Sequence, residues 1–123
     1  MAIDSARINH ILQEFVSNTN HVQGVALVTP DGLPLATTLP NQMDDERVSA
    51  MSAAMLSLGE RISSELSRGN IGRIFIEGEQ GFGILTSCGE DAVFLVLASH
   101  AAKQGILALE IKRAVAALRP LLI

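Results

Sequence analysis

The apolar positions between Asp44 and Gly69 follow the period of an α-helix. Large apolar side chains recur there at steps of three and four residues, which places them in one stripe on a helix. The stripe consists of Val48, Met51, Met55, Leu58, Ile62 and Leu66. Acidic residues at the start of the segment suit the positive end of a helix, and Gly69 suits a left-handed stop. The pattern therefore predicts one long helix whose apolar stripe packs on its own sheet.

Two further helices and five strands are predicted around this segment. One helix is expected over residues 5–18, with Asp4 or Ser5 as its cap. The other is expected over residues 101–118, and Pro120 ends it. Alternating or continuous apolar runs predict the strands. These runs lie at residues 22–29, 33–39, 71–77, 81–87 and 92–98.

Short links between the strands predict antiparallel hairpins. Pro34 lacks an N–H group, so its strand is predicted at a sheet edge. The strand at 92–98 is apolar throughout, which predicts a central strand covered on both faces. We therefore expect one domain over residues 1–123, an α+β sandwich built on a five-stranded antiparallel sheet. The long helix lies on one face and the two terminal helices lie on the other. The order is helix, two strands, helix, three strands, helix.

One flank of the long helix carries small residues, which allow another backbone to approach closely. Gly59 costs about 1 kcal/mol relative to alanine inside a helix, which indicates a packing reason. Leu56 lies off the apolar stripe; the alternative is one exposed leucine beside a tolerated glycine. The strand at 71–77 offers a free edge beside this flank. The sequence thus predicts a homodimer, with an interface formed by Ser52, Leu56, Gly59, Ser63, Ile71, Arg73, Phe75 and Glu77.

The opposite flank predicts a surface for a protein partner, because it combines small residues with arginines. This partner surface consists of Arg47, Ala50, Ala53, Ala54, Ser57, Arg61 and Ser64. The alternative is a basic edge that is only solvated. Met51 and Met55 offer an adaptable binding surface as a further alternative. Their place on the same stripe as Leu58 and Ile62 favours the core instead.

Composition excludes several classes of function. The net charge is −4 and aromatic residues make up 3% of the chain, which argues against nucleic-acid binding. No apolar run approaches the ~20 residues of a membrane-spanning helix, so no membrane insertion is expected. Cys88 is the only cysteine, which excludes an internal disulfide and suits a reducing compartment. We expect a cytoplasmic protein.

The sequence contains no convincing catalytic or metal-binding motif. The glycines at 78, 81 and 83 lack the lysine of a phosphate-binding loop, so a hairpin turn is favoured. His10, His21 and His100 show no ligand spacing, and Cys88 has no cation beside it in the sequence that would activate it. Acidic residues cluster at the predicted turns, which favours a solvated end over a cation or partner site. No cofactor, no metal and no autonomous enzyme activity are therefore expected.

Three long segments together resemble the Roadblock family. They are GVALVTPDGLPLA, LGERISSEL and IFIEGEQGFGILTSCGEDAVFLVLA. The family includes the dynein light chain Roadblock and the bacterial MglB-type regulators of Ras-like GTPases. The resemblance covers nearly the whole chain and implies a non-enzymatic dimer in which the long middle helices pair and the following edge strands join two sheets.

The resemblance also implies what the protein does. Bacterial members commonly contact a small Ras-like GTPase and influence its nucleotide state. Eukaryotic members act as light chains or scaffold subunits of larger assemblies, which is the alternative function. A third alternative is a small-molecule sensor, because α/β sandwiches of this type hold ligands between sheet and helix; no polar constellation in the sequence converges on such a pocket.

Overall fold

A computed structural model describes residues 3–122 and contains the expected three helices and five strands in the expected order. The elements are α1 (Ser5–Asn18), β1 (Val22–Val28), β2 (Pro34–Thr38), α2 (Asp45–Glu65), β3 (Arg73–Gly78), β4 (Gly81–Ser87), β5 (Val93–Ala98) and α3 (Gln104–Leu118), followed by a 3₁₀ turn at Arg119–Leu122. Among the described residues, no helix is both long enough and apolar enough to cross a membrane.

The five strands form one antiparallel sheet in the order β2-β1-β5-β4-β3. The apolar strand β5 is central, as its sequence predicts. Pro34 begins the edge strand β2, where a missing N–H group costs no ladder hydrogen bond. The other edge is β3, so one side of this strand has no neighbour within residues 3–122.

Helices cover both faces of the sheet, which confirms the predicted sandwich. Along β5, Phe94 and Val96 face a core shared with α1 and α3. Val93 and Leu95 point to the other face, where they pack with Leu56 of α2. The alternation follows from the pleat of a strand, which sends successive side chains to opposite faces. The continuous apolar sequence of β5 therefore reflects its packing against one core on each face of the sheet.

The start of α2 is fixed by polar contacts. The Asp44 carboxylate accepts hydrogen bonds from the backbone N–H groups of Glu46 at 3.0 Å and Arg47 at 3.3 Å. This is an N-terminal cap, which supplies acceptors for otherwise unpaired donors. The Thr37 hydroxyl donates to the Asp45 carboxylate at 2.7 Å, which ties the helix to β2.

The end of α2 lies earlier than Gly69. The helix ends at Glu65, because Ser67 already adopts a left-handed backbone with φ of 57°. The N–H groups of Ser67 and Arg68 then bond back to carbonyl groups of the last helical turn. Gly69 does adopt a positive φ of 82°, although it lies beyond the helix.

The predicted direction in which α2 faces is wrong. The side that packs on the sheet consists of the buried residues Ser49, Ser52, Ala53 and Leu56. The large side chains of the predicted stripe point into solvent, with Met51 64% exposed and Leu58 52% exposed. Small helix residues suffice because the sheet itself supplies large side chains to this core. Val48, at the edge of the stripe, is half-buried and packs against the same core.

Candidate protein-interaction surface

An exposed row of large apolar side chains runs along α2. The row, called the apolar stripe from here on, consists of Met51, Met55, Leu58, Ile62 and Leu66. Their exposed fractions range from 41% to 64%. At 3.6 residues per turn, the stripe lies roughly 120° around the helix from the side that packs on the sheet. Contiguous apolar surface of this kind on a single chain is typical of interaction sites.

The free edge of β3 adds apolar surface. Phe75 is 40% exposed and Ile76 is 44% exposed. Phe75 is opposite Ile84, which faces the core of α1 and α3, whereas Ile76 is opposite Gly83 and shares the face of α2. The edge is therefore flanked by an aromatic side chain on one face and an aliphatic side chain on the other. Such an edge is a template for pairing with another strand.

Aromatic contacts hold Phe75 in position. Its ring centroid lies 5.0 Å from that of Phe82, and the Phe82 ring lies 4.9 Å from the His100 ring. The His100 side chain in turn donates from Nε2 to the carbonyl oxygen of Glu79 at 2.9 Å. These aromatic contacts and the hydrogen bond connect the β3–β4 hairpin to the segment that follows β5.

The predicted dimer interface is only partly exposed. Ser52 and Leu56 are buried against the sheet of their own chain, so assigning them to an exposed flank is wrong. The backbone of Gly59 lies against β3 of the same chain, and Ser63 is half-buried with its hydroxyl donating to the Gly69 carbonyl at 2.7 Å. The remaining residues lie on or just before β3. They are the half-buried Ile71 and the exposed Arg73, Phe75 and Glu77.

Gly59 allows close packing, as its presence inside a helix indicates. The neighbours that it packs against belong to the same chain, however, and not to a second copy. A Cβ atom there would lie 2.6 Å from Cδ1 of Ile74 and 3.0 Å from Cδ1 of Ile71. We expect Gly59→Val to lower the free energy of unfolding by about 1–3 kcal/mol through overpacking.

Urea denaturation at a fixed protein concentration measures this effect. Gly105→Val is the matched control, because nothing lies within 4 Å of a Cβ at this helical glycine. A Gly59 variant no less stable than the Gly105 variant would show that the close contact does not constrain the helix.

The predicted partner surface is exposed except at one position. Ala53 is buried in the contact with the sheet, which corrects its assignment. The exposed members are Arg47, Ala50, Ala54, Ser57, Arg61 and Ser64. The β1–β2 turn borders this surface, because a Cβ on Gly32 would lie 3.1 Å from Cα of Ala50. These six residues form an outward face of α2, called the outer face from here on, that is separate from the apolar stripe.

A polar groove of about 780 Å³ lies between the outer face and the β4–β5 turn. Its lining includes Pro30, Ser57, Glu60, Asn70, Glu90 and Arg119. Within residues 3–122, no buried side-chain nitrogen or oxygen lacks a hydrogen-bond partner. No group of three or more His, Cys, Asp or Glu side chains in the described part of the chain is arranged to hold a metal ion. The groove extends the outer face toward the β4–β5 turn.

The remaining chemical candidates have structural roles. Cys88 is buried, and this burial raises the pKa of its thiol to about 11 despite the opposing charge of Arg119. The thiol stays protonated near neutral pH, where it is a poor nucleophile. The glycine motif forms the β3–β4 hairpin, as expected. A Cβ on Gly81 would overlap the carbonyl oxygen of Ala98, so this position requires glycine for steric reasons.

Comparison with known proteins gives a consistent family. The model of the Roadblock/LC7 domain matches residues 8–98. Two proteins of Methanocaldococcus jannaschii with uncharacterised functions are 35% and 33% identical to this chain over 107 residues. Each alignment covers 87% of this chain, and the aligned parts are 89% and 92% of the two relatives.

Solved structures share the fold at lower identity. Myxococcus xanthus MglB superposes with a TM-score of 0.89 at 18% identity, covering 98% of this chain and 90% of MglB. A Roadblock/LC7 domain from Streptomyces avermitilis superposes with a TM-score of 0.85 at 19% identity, covering 91% of this chain and 94% of that domain. The sandwich described above is thus the fold of these domains.

Proposed function

Because this chain belongs to the Roadblock/LC7 family, we propose that it is a homodimeric, non-catalytic adaptor that binds a small Ras-like GTPase and modulates its nucleotide state. The observation that carries the proposal is the apolar stripe, which a single chain leaves in water. Its position on the opposite flank from the outer face allows one helix to serve two contacts. A structural likeness to MglB, which shows the shared fold, supports the same kind of role.

The apolar stripe and the edge of β3 together form the proposed dimer interface. Two copies related by a twofold axis bring the same surface patch together on each side. Pairing of the α2 helices covers the five apolar side chains, and pairing of the β3 strands satisfies the free backbone groups of the edge. A stable interface of this kind buries on the order of 1,600 Å² in total. Arg73 and Glu77, both exposed on β3, remain part of this proposed interface.

The outer faces of the paired helices form the proposed platform for the GTPase. Ala50, Ala54 and Ser57 carry short side chains that lose little entropy when a partner covers them. Arg61 adds a planar cation with several donors, which suits an acidic switch loop. Neither ion pair found among residues 3–122 involves Arg61, so its guanidinium is available to a partner.

Reversing the charge at Arg61 tests the platform. We expect Arg61→Glu to weaken binding of the GTPase about fivefold or more at low salt, mainly through slower association, with a smaller effect at high salt. The measurement is surface plasmon resonance with the Ras-like GTPase that the tagged protein captures from native lysate, loaded with GDP or with a GTP analogue.

Lys112→Glu is the matched control, because Lys112 is an exposed cation on α3, on the opposite side of the sheet. Equal binding by both variants would contradict a GTPase site on the outer face. Tight binding by the wild-type protein without any change in nucleotide exchange or hydrolysis would instead assign the protein to the alternative function, a scaffold subunit.

A further inference from the structure

We propose that two copies of this chain join their β3 strands with Phe75 at the twofold axis, so that Arg73 of each copy faces Glu77 of the partner subunit. The inference rests on the homodimer proposed above and specifies its register, which that proposal leaves open.

Symmetry limits the possible registers. A twofold axis that joins two strands into one antiparallel sheet runs perpendicular to the sheet, so each face of one copy continues into the same face of the other. Residues that face each other across antiparallel strands point to the same side. Since side chains alternate along β3, a residue can face only itself or a residue an even number of positions away. Each allowed register is therefore centred on one residue of β3.

The register centred on Phe75 matches every pair between residues 73 and 77 by chemistry. The two Phe75 rings face each other at the axis. Arg73 and Glu77 lie two positions on either side, so they face each other twice in the dimer. Ile74 and Ile76 likewise face each other twice on the face that carries α2. Aromatic pairs and pairs of opposite charge directly across a strand pair are stabilising.

The neighbouring registers place unlike groups together. With Ile74 at the axis, the Arg73 guanidinium faces the ring of Phe75. With Ile76 at the axis, the Glu77 carboxylate faces that ring instead. Either arrangement separates Arg73 from Glu77. With Ile76 at the axis, Arg73 instead faces Glu79, which lies in the turn beyond the end of β3. The order of side chains along β3 thus selects the register centred on Phe75.

The two charges are free to pair between copies. Arg73 and Glu77 are both exposed, and neither belongs to an ion pair with any residue from 3 to 122. They lie on the same face of β3 as Phe75, whose ring already rests on Phe82 at 5.0 Å. Joining the strands continues this aromatic row across the axis. The edge therefore presents a self-complementary sequence of positive, aromatic and negative side chains.

Single cysteines introduced along β3 measure the register. Facing residues have Cα atoms about 4.5–5.5 Å apart, within the range of a disulfide. The residue at the axis faces its own copy, whereas residues one position away are separated from their own copies by roughly 8 Å. Under mild oxidation we expect Phe75→Cys to form a covalent dimer, with at least tenfold less product from Ile74→Cys and Ile76→Cys. Cys88 is buried and contributes little background.

Phe75→Cys in an Ile62→Glu background is the control for random collision, and it should lose the cross-link together with the dimer. Strongest cross-linking at position 74 or 76, with an intact wild-type dimer, would overturn the register and leave the proposed dimer standing. A wild-type protein that is monomeric by light scattering would overturn both.

A charge swap tests the same register without cysteines. Arg73→Glu places like charges opposite each other twice, as does Glu77→Arg, so each should raise the dimer dissociation constant about fivefold or more. The double variant Arg73→Glu/Glu77→Arg restores both pairs and should return to within about threefold of wild type. Additive weakening in the double variant would contradict direct pairing of the two residues.

Discussion

Replacing Ile62 by glutamate should convert the dimer into monomers while leaving each protomer folded. Ile62 lies within the apolar stripe and is 51% exposed in a single chain, so a carboxylate there is solvated in the free protomer. In the dimer the same carboxylate would be buried without a partner, which costs several kcal/mol. We expect the dissociation constant to rise at least about a hundredfold. Sedimentation equilibrium measures this constant, and circular dichroism reports the fold.

Ile106→Glu provides the matched control for this variant. Ile106 is 59% exposed on α3, on the other side of the sheet, so it resembles Ile62 in size and exposure but lies outside the proposed interface. The control should remain a dimer with an unchanged dissociation constant. An Ile62 variant that dimerises as tightly as wild type would contradict pairing through the apolar stripe.

Replacing Ala54 by arginine should abolish binding of the GTPase without affecting the dimer. Ala54 is exposed in the middle of the outer face, where a partner that approaches the helix backbone has no room for a long side chain. We expect at least about a hundredfold loss of affinity, since disruption near the centre of an interface has the largest effect. Titration calorimetry with the GTPase in its GDP and GTP-analogue states measures the loss.

Ala116→Arg is the control for Ala54→Arg, because Ala116 is an exposed alanine of α3 outside the outer face. It adds the same charge and bulk on the opposite side of the sheet and should bind the GTPase normally. Sedimentation of both variants should still show the dimer. Full affinity in the Ala54 variant would mean that the outer face is only solvated and that any GTPase docks elsewhere.

Element order and sheet topology were predictable because local chemistry determines them. Continuous apolarity over Val93–Ala98 indicates burial on both faces, and β5 is indeed central. Pro34 indicates an edge strand because proline has no backbone N–H group to donate to a neighbouring strand. The acidic run that begins at Asp44 predicted where α2 starts, and Asp44 forms the N-terminal cap of this helix in the structure. Each of these signals depends only on residues that are close together in the chain, so it can be read from the sequence without knowledge of the tertiary structure.

The rotation of α2 was not predictable from its apolar pattern. The hydrophobic effect favours burial of apolar surface whether the cover is the same chain or another one. A stripe of large apolar residues therefore indicates a tendency to be buried, but it does not indicate whether the same chain or another one would cover it. The sequence pattern that identifies the face of α2 packed on the sheet is weaker. Ser49, Ser52, Ala53 and Leu56 recur at the helical period, and small residues there allow α2 to approach the sheet closely.

Close helix packing at Gly59 was predicted for the right reason and assigned to the wrong neighbour. The missing side chain makes room for Ile71 and Ile74 of the same chain. The same rotation places Ala53 in the core and leaves the other six residues of the predicted partner surface exposed. A single error in the rotation of α2 about its axis therefore exchanged the face that packs on the sheet with a face that points into solvent.

The solution mass of the wild-type chain tests the central claim most directly, since both contacts proposed for α2 depend on the dimer. Multi-angle light scattering at several micromolar concentrations measures this mass without a label or a partner. A homodimer requires twice the 13.1 kDa of the chain. A mass of 13.1 kDa at every concentration would show that the apolar stripe stays in water, and would contradict the proposed assembly.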